Sequence, residues 1–582
     1  MKKTIKFHVL RVLRASVILF LLLPVLTQAR EAISGGFGVN MHLRQRVVPD
    51  EWDTALNLAE ENNVEWAREE FNWDVIEPTD DNYNWEQYDA LITKYQENNI
   101  QVLGLITYSS SWASSNAGDP DYEYYPPDMT AWSDYVSNVA ARYAGKVDTW
   151  EIWNEPNYDG FWKSNEENYV SYLEEASNKI KQANPNAKVV LGGMSGADTD
   201  FLNRIYELTP ETDPFDIVAA HPYRVVDDNF NYSPEQTTDG LNTLTVDLES
   251  MRAVMRDNGD KDMPIWLTEF GWTTYDNGVS EEKQTDYLMR GYAGAFANSQ
   301  VRKIFWYTFR DDSDNTAYLE SSFGLARNDY TAKPALAAFK FMQEKLTDKK
   351  YQLSSLANAT VIDNFDKKNN WEFSGAINSD GYLEEAYNGQ LKINYYFNGT
   401  VNSYLPVHNE LKLPNYTKAL SFKAKGSNGT TFLRVRVKDK SGETFQYNIG
   451  YLPSSYVNYR INLKNYSGHW NGNEDGDLDY PIYFESFVLD DNPDGSREHG
   501  SVYFDDLQSS KLGGVYLYNY TQGKNNYYLA WTRGQTRNYN LNLDPATEIM
   551  KRSLAGNESL NAENHRFAIT LSQEPVWLQV KK

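Results

Sequence analysis

From about residue 35 to residue 345, short apolar runs of β type alternate with longer amphipathic stretches of helical period. This alternation is typical of βα units that build a parallel sheet. The runs predicted as strands are Gly36–His42, Val64–Arg68, Gln101–Thr107, Asp148–Asn154, Lys188–Gly193, Ile217–His221, Ile265–Glu269 and Lys303–Thr308. The predicted helices include Glu51–Asn62, Trp85–Asn98, Met129–Tyr143, Glu166–Ala183, Glu281–Asn298 and, as the last one, Lys333–Lys345. The pattern therefore predicts an α/β fold, a (β/α)8 TIM barrel over residues 31–348.

After residue 350 the pattern changes to short alternating runs rich in Asn, Gly, Tyr and Thr, which is typical of β-sandwich accessory domains. Residues 360–510 are predicted to form one jelly-roll module, opening at Val361–Asp366 and closing at Ser501–Leu507. The last segment, 511–582, is short for a core of its own. We expect it to pair with Tyr351–Leu356, so that residues 349–359 and 511–582 form a small β-domain packed on the barrel.

The first 29 residues have the pattern of a signal peptide. A basic start is followed by the apolar run Ser16–Leu26 and by Thr27-Gln28-Ala29. That run is short for a membrane span of about 20 residues, and no later stretch is apolar enough to cross a bilayer. The chain also has no cysteine, which suits a bacterial exported protein that does without disulfides. We predict a secreted protein, extracellular or periplasmic.

Net charge narrows the range of partners. The chain carries a formal charge of −26, and removing residues 1–29 takes away five positive and no negative charges, giving −31. Such an excess repels nucleic acid and anionic membranes, so we expect neither as a partner. Aromatic residues make up 14% of the chain, with 42 Tyr and 16 Trp. Their flat faces suit sugar rings, although tyrosines also pack inside β-sandwiches.

Two aromatic runs end in a glutamate, Asp148–Pro156 with Glu155 and Pro264–Trp272 with Glu269. Alternate residues of a strand share a face. Ile265 and Leu267 are therefore predicted to fill the barrel, with Glu269 emerging at the rim on the same face. On strand four, Trp153 and Glu155 share parity. Because strands four and seven are not neighbours, the two glutamates can face each other across the mouth, where barrel enzymes carry their chemistry.

Two such carboxyls are the machinery of a retaining glycosidase, provided that their pKa values differ. Arg68, predicted at the end of strand two, is expected to lower the pKa of Glu269 by charge pairing. Tyr223 is expected to donate a hydrogen bond to Glu269. Asn154 is expected to hold a sugar 2-hydroxyl, and Trp306 to form the floor beneath the reacting sugar. This chemistry requires no metal and no organic cofactor.

Further residues at predicted strand ends are candidates for contacts with substrate. His221 and His42 end strands six and one, and Trp112 and Tyr108 follow strand three as walls of a sugar subsite. Glu151 sits within a strand and is interpreted as structural. For Glu69 and Glu70, a place at the mouth and a place on the surface both remain open.

These motifs closely resemble those of the clan A glycoside hydrolases. The runs Trp150–Asn157 and Thr268–Trp272 are most similar to family 39 and its xylosidase-like and exopolysaccharide-hydrolase-like branches, and Tyr124–Pro127 and Ala141–Tyr143 suit that branch. The resemblance covers about residues 31–345. It implies that Glu155 is the acid/base and Glu269 the nucleophile. Residues 107–112 lack the histidine that family 5 cellulases often carry after strand three, which counts against a typical cellulase.

The 360–510 module resembles carbohydrate-binding modules of jelly-roll type. Such modules often hold a structural calcium, and the terminal strands with Asp363, Asp366, Asp505 and Asp506, or the run Asn473–Asp479, are candidate sites. Candidate stacking platforms are Trp371, Tyr395, Tyr396 and Trp470. Sugar binding and a purely structural role both remain open for this module.

The leading hypothesis is a secreted retaining β-glycosidase that hydrolyses a polysaccharide or oligosaccharide, either β-xylosidase-like or endo-acting on an exopolysaccharide. The alternative is a catalytically silent glycan-binding or scaffold protein, which would bind a glycan without releasing product.

Overall fold

The computed structural model describes residues 31–581 apart from several internal segments. Those are residues 211, 213, 227–228, 237–242, 353–358, 366–370, 385–388, 400–402, 416, 428–430, 455, 492–496, 512–514, 534–535, 542–547 and 563–566. The predicted signal peptide, Asp366 and most of the expected partner strand Tyr351–Leu356 lie outside the described residues.

Eight parallel strands close into a barrel in sequence order, which confirms the predicted fold. They are β1 (Phe37–Asn40), β2 (Trp66–Asn72), β3 (Gln101–Thr107), β4 (Thr149–Asn154), β5 (Lys188–Ser195), β6 (Val218–His221), β7 (Ile265–Phe270) and β8 (Val301–Trp306). Strand β2 extends to Asn72, so Arg68 lies in its middle and not at its end as predicted. The carboxyl ends of all eight strands meet at one rim.

Helices surround the barrel. They are α1 (Leu43–Arg46), α2 (Trp52–Glu61), α3 (Trp73–Ile76), α4 (Glu86–Glu97), α5 (Met129–Tyr143), α6 (Glu166–Ala183), α7 (Thr199–Leu208), α8 (Leu244–Asp257), α9 (Glu281–Ala295) and α10 (Pro334–Leu346). Several begin at a polar side chain that accepts a backbone N–H of the first turn, such as Asp128 before α5 and Ser280 before α9. Pro334 opens α10, where its fixed φ suits a first helical position.

Large side chains fill the lower half of the barrel. A buried cluster inside it consists of Trp66, Leu103, Val190, Ile217, Ala219, Trp266 and Phe305. Ile265 and Leu267 belong instead to the core between strands and helices, so the prediction that they fill the barrel is wrong. Trp266 occupies that space, and Lys303 lies over the faces of Trp66 and Trp266 at 4.2 and 5.1 Å.

The chain after the barrel is built of strands, consistent with the predicted β-sandwich domains. One sheet has the order β12 (Ser379–Glu384), β13 (Leu391–Asn398), β21 (Arg497–Ser510), β15 (Ala419–Gly426), β18 (Val457–Asn462), and β10 (Ala359–Asp363) also pairs with β21. The facing sheet has the order β11 (Glu372–Phe373), β14 (Tyr404–Lys412), β20 (Tyr483–Asp490), β16 (Phe432–Lys438), β17 (Thr444–Tyr451), β19 (Gly468–Trp470). A single hydrophobic cluster lies between them.

A third sheet joins both ends of the region that follows the barrel. Its order is β26 (Gly556–Asn561), β25 (Glu548–Ser553), β28 (Val576–Lys581), β23 (Asn525–Thr532), β22 (Val515–Gln522), β9 (Lys350–Gln352), and β24 (Arg537–Leu541) pairs with β27 (Phe567–Leu571) beside it. In this sheet Tyr351, before the sandwich, pairs with Tyr520, after it. Tyr520, Tyr527, Trp531 and Trp577 share a core with the barrel helices. The C-terminal sheet is therefore packed on the barrel through apolar side chains.

Two of the four candidate stacking platforms of the sandwich are buried. Trp371 and Tyr395 are each 3% exposed within its core, where neither can meet a sugar, and this corrects their predicted role. Tyr396 is 44% exposed, and Trp470 lies half-buried at a sheet edge against Arg436. Within the described part of the chain, no helix has both the length and the apolarity needed to cross a bilayer.

Candidate active site

Glu269 on β7 and Glu155, just after β4, reach the same point in the mouth of the barrel. One oxygen of each carboxyl and one ring nitrogen of His221 all lie within 4.8 Å of one another. Both glutamate side chains are 12% exposed. The two carboxyls are 114 residues apart in sequence and meet only because the barrel closes.

Glu269 is held at both carboxyl oxygens. Arg68 donates from Nη1 to Oε1 at 2.7 Å, and the Tyr223 hydroxyl donates to Oε2 at 2.8 Å. Burial raises the pKa of Glu269, but His221, Arg68 and the Tyr223 hydrogen bond outweigh burial and keep this pKa below its usual value. The carboxyl of Glu269 is therefore held as an anion at neutral pH.

Arg68 organises the floor of the site. Its Nε donates to Glu151 at 2.7 Å, Nη1 also reaches Asn40 at 3.1 Å, and Nη2 reaches the side-chain oxygen of Asn154 at 2.9 Å. The Glu151 side chain is fully buried, and its only charged partner within the described residues is Arg68. The structure thus gives Glu151 a supporting place below the mouth and brings the predicted Arg68 and Asn154 to the glutamates.

His221 connects the two glutamates to the barrel interior. Its Nδ1 lies 2.9 Å from Glu155 Oε1 and 3.7 Å from Glu269 Oε2, and its Nε2 lies 3.0 Å from the Thr268 hydroxyl. Thr268 in turn donates to Glu151 at 3.0 Å. Burial lowers the pKa of His221, but the charge of Glu269 and the contact with Glu155 reverse this, so the pKa lies above its ordinary value of 6.5.

The backbone at both strand tips departs from simple alternation. Trp153 and Glu155 have φ of 69° and 44°, left-handed values that are uncommon outside glycine and that gather at functional sites. Trp153 turns into an aromatic cluster, with its indole N–H on the Phe161 carbonyl, while Glu155 faces the mouth. The register of β7 against β8 shifts between Leu267 and Phe270. Shared parity therefore explains the position of neither glutamate.

Gly193 on β5 leaves the space through which this network passes. A Cβ placed on Gly193 would lie 2.2 Å from His221 Nε2, 2.6 Å from the Thr268 hydroxyl and 2.8 Å from Glu151 Oε1. Its backbone N–H donates to Glu151, and its carbonyl accepts from the Glu155 N–H. Only glycine fits at this position.

His42 and Glu70 form a second pair in the mouth. His42 has a φ of 47° before α1, is 4% exposed, and places Nδ1 3.5 Å from Glu70. Burial lowers the pKa of His42, and Arg46 lowers it further, against the opposing effect of Glu70. Of the two glutamates whose place the sequence did not decide, Glu70 therefore lies at the mouth. Glu69 is buried and accepts hydrogen bonds from the Leu43 and Arg44 amides and from Tyr95.

The structure does not bring Trp306 to the mouth, which corrects its predicted place as the floor. Trp306 is fully buried behind the barrel wall, packs on Trp272 and donates its indole N–H to the Phe323 carbonyl. Tyr307, the next residue, faces the site, with its ring edge-on to His42 and Tyr223. Its hydroxyl accepts from Arg46 and donates to Glu320. Phe305 faces the barrel interior, and alternate residues of a strand share a face. Strand alternation therefore predicts that Tyr307, and not Trp306, faces the mouth.

Tyr108 and Trp112, the predicted walls of a sugar subsite, lie in different surroundings. Tyr108 is half-buried against Tyr124 and Trp153, and its removal from water together with the charge of Glu70 raises its pKa. Trp112 is half-buried against Trp73, and its indole N–H donates a hydrogen bond to the Glu77 carbonyl. No described contact joins Trp112 to the glutamates.

The carboxylates predicted to hold calcium have other partners. Asp363 accepts the Phe365 amide and the Trp371 indole N–H, and Asp506 is paired with Lys423. Among the described residues, three or more acidic or histidine side chains converge only at Glu155–His221–Glu269 and at Glu77–Asp80–Asp81. A structural calcium in the sandwich stays a prediction.

A closed (β/α)8 barrel with two facing glutamates at the tips of strands four and seven is the arrangement of the barrel glycoside hydrolases. A profile of the family described as "Glycosyl hydrolases family 39" matches residues 33–380, more than half of the chain. The chain belongs to this family.

Known proteins that resemble this chain include a β-xylosidase of Geobacillus stearothermophilus. It is 25% identical over 286 residues, which are 44% of this chain and 56% of that protein, so the match spans about half of the relative's length. Endo-1,4-beta-xylanase C of Paenibacillus barcinonensis is 23% identical over 159 residues, 26% of this chain and 13% of that protein. A solved structure of a family 39 glycoside hydrolase from Bacteroides cellulosilyticus WH2 shares the fold, with a TM-score of 0.57 and 16% identity over 94% of this chain and 81% of that one.

Proposed function

We propose that this protein is a secreted β-glycosidase that hydrolyses β-xylosides, as ends or as internal bonds of a polysaccharide, by a retaining double displacement. The observation that carries the proposal is the closeness of the two carboxyls, with an oxygen of Glu155 within 4.8 Å of an oxygen of Glu269. The charges of His221 and Arg68 and the Tyr223 hydrogen bond keep the pKa of Glu269 below its usual value despite burial. Retaining enzymes place their two carboxyls about 5–5.5 Å apart, whereas inverting enzymes need about 6.5–9.5 Å to admit a water. The names of the two curated relatives favour xylose as the sugar.

Each group has a defined part in this reaction. Glu269 attacks the anomeric carbon while Arg68 and Tyr223 hold its two oxygens in place. Glu155, whose Oε1 lies 2.9 Å from His221 Nδ1, delivers a proton to the departing oxygen. Glu155 then takes a proton from water, and this water opens the glycosyl ester on Glu269. The Asn154 amide, oriented by Arg68 through its oxygen, is available to a sugar 2-hydroxyl.

The test is a screen of aryl β-glycosides with Glu269→Ala and Glu155→Ala, and with exposed Glu60→Ala as the matched control. We expect the wild type and Glu60→Ala to hydrolyse the β-xyloside, and we expect no hydrolysis by Glu269→Ala or Glu155→Ala. Added azide should rescue Glu269→Ala to an α-glycosyl azide and Glu155→Ala to a β-glycosyl azide, because azide replaces a different group in each. Unchanged hydrolysis in both variants would overturn the proposal, and glycan binding without product would favour the silent binding protein.

A further inference from the structure

A chamber of about 340 Å³ lies where the barrel, the sandwich and the C-terminal sheet meet. Its walls come from α8 and α9, from β15 and β18, and from β22, and none of the residues that surround the two glutamates lines it. Small-molecule sites start at about 300 Å³ and favour the interfaces between domains. The chamber therefore has the size and the place of a ligand site.

Four residues of the chamber wall each carry a buried polar atom that has no hydrogen-bond partner among the described residues. These atoms are Arg460 Nη2, Arg290 Nη1, Tyr456 Oη and Tyr459 Oη. Guanidinium nitrogens can only donate, and phenol hydroxyls can donate as well. Buried donors are almost always paired in native proteins, and an unpaired group calls for an explanation such as a bound molecule. Four donors around one space call for a ligand rich in oxygen acceptors.

The charge of the walls favours an anion. Five basic and three acidic side chains line the chamber, in a chain whose formal charge is −26. Each acid already has a basic partner: Glu235 pairs with Arg290, Glu249 with Arg252, and Asp506 with Lys423. Among the described residues, Arg460 and Arg533 have no ion pair with an acidic side chain, although Arg533 donates to the Glu235 carbonyl. Arg460 lies over the Tyr516 ring at 4.6 Å. The first turn of α8, residues 243–246, also lines the chamber and adds the positive end of a helix dipole.

We propose that this chamber binds a sugar acid of monosaccharide size, such as a uronate, with its carboxylate on Arg460. The volume is many times the roughly 10–15 Å³ that a single water takes up, so an inorganic ion would leave most of it unfilled. Asn458, Asn462 and Gln508 are further wall residues whose amides suit sugar hydroxyls. A bound uronate would contact the barrel and the sandwich together and so hold the two against each other.

The experiment is thermal unfolding of the full chain with sodium glucuronate, glucose, sodium phosphate or sodium chloride at matched ionic strength. A ligand that binds only the folded state raises the unfolding temperature as its concentration rises. Glucuronate should raise it, and glucose and chloride should not. Arg460→Met should abolish the rise and Tyr459→Phe, which removes one hydroxyl, should weaken it. Arg204→Met, a surface arginine of α7, and Glu269→Ala should both keep it.

Two further measurements distinguish glucuronate binding in the chamber from binding at the active site. Glucuronate should leave the hydrolysis of an aryl β-xyloside uninhibited, and a crystal soaked with it should show the sugar beside Arg460. Water alone in the chamber, an equal rise with phosphate, or a rise that survives Arg460→Met would each overturn the proposal. Should Arg460→Met fail to fold, Tyr456→Phe and Tyr459→Phe together provide the same test.

Discussion

Arg68 Nη1 lies 2.7 Å from Glu269 Oε1, and the same guanidinium donates from Nε to Glu151 at 2.7 Å. One arginine therefore serves a buried carboxylate below the mouth and a partly exposed one within it. Because Glu151 keeps Arg68 in place from below, the geometry of Glu269 depends on a residue that no substrate touches. The arrangement predicts how Glu269 responds when Arg68 is replaced.

Replacing Arg68 with Met should move the acid limb of kcat/KM to higher pH. Arg68 is one of the groups that hold the pKa of Glu269 below its ordinary value, so its loss raises that pKa. A higher pH is then needed before Glu269 ionises. The measurement is a pH profile with an aryl β-glycoside, compared with Arg142→Met, whose arginine pairs with Asp89 at the surface. An unshifted acid limb would show that Arg68 does not tune Glu269.

The stabilising effect of His221 should fade as pH rises. Its pKa is raised in the folded state, so its contribution is complete below its ordinary value of 6.5 and is lost as pH rises through the folded-state pKa. We expect the difference in free energy of unfolding between wild type and His221→Asn to shrink over that window. Urea unfolding at a series of pH values measures it, and a difference that grows with pH would contradict the cited direction.

Trp306 and Tyr307 should separate stability from activity. Trp306→Ala removes a fully buried indole and should cost roughly 3–5 kcal/mol in free energy of unfolding. Tyr307→Phe removes only the hydroxyl that joins Arg46 and Glu320, so it should change stability by about 1 kcal/mol while raising KM. Thermal unfolding and steady-state kinetics on both variants provide the comparison. A Tyr307→Phe enzyme with unchanged KM would remove Tyr307 from the substrate site.

Gly193→Ala should inactivate the enzyme while leaving most of the fold intact. The added methyl group would overlap His221, Thr268 and Glu151 at once, so the network below the glutamates must move. We expect kcat/KM to fall by about 100-fold or more. Gly118→Ala is the control, because a Cβ there meets nothing within 4 Å. Equal activity of the two variants would show that the network tolerates displacement.

Glu235 should hold the C-terminal sheet on the barrel. It accepts from Arg290 through both oxygens and from the Trp531 indole N–H, and its carbonyl accepts from Arg533. Glu235→Ala leaves the buried Arg290 unpaired and should cost roughly 3–5 kcal/mol. The exposed pair of Glu558 with Lys551 should cost less than about 1 kcal/mol when Glu558 is replaced by Ala. Limited proteolysis should release the C-terminal sheet faster only in the first variant.

The eight strands could be predicted because each is a short apolar run set between helical periods. The side that each residue faces could not be read from alternation alone. At β7 the register shifts between Leu267 and Phe270, and the consecutive residues Thr268 and Glu269 both join the site, Thr268 below the glutamates and Glu269 in the mouth. At β4 two left-handed residues turn Trp153 away from Glu155. Local backbone departures of this kind follow from tertiary packing, which a sequence pattern does not record.

The candidate site, like the fold, can be predicted from the sequence only in part. Strand position predicts a place at the rim for Glu155, Glu269, Asn154, His221 and Tyr223, and the structure brings them together. Arg68 joins them although it lies in the middle of β2 and not at the predicted strand end. Trp306 was misplaced by one residue because a tryptophan on strand eight is the more conspicuous sugar platform. The roles of Glu70, Thr268 and Gly193 depend on contacts between strands that are distant in the chain, so no local motif marks them.

The pairing of Tyr351 with Tyr520 has a consequence for how such a chain can change over generations. The polypeptide leaves the C-terminal sheet and rejoins it at two adjacent strands, so the whole sandwich is inserted at what is otherwise the site of a hairpin. A gene that lost the sandwich would need only a short turn between β9 and β22 to keep the hydrolase body intact. The same junction could accept an unrelated module, which makes it a natural place for exchanging accessory cassettes.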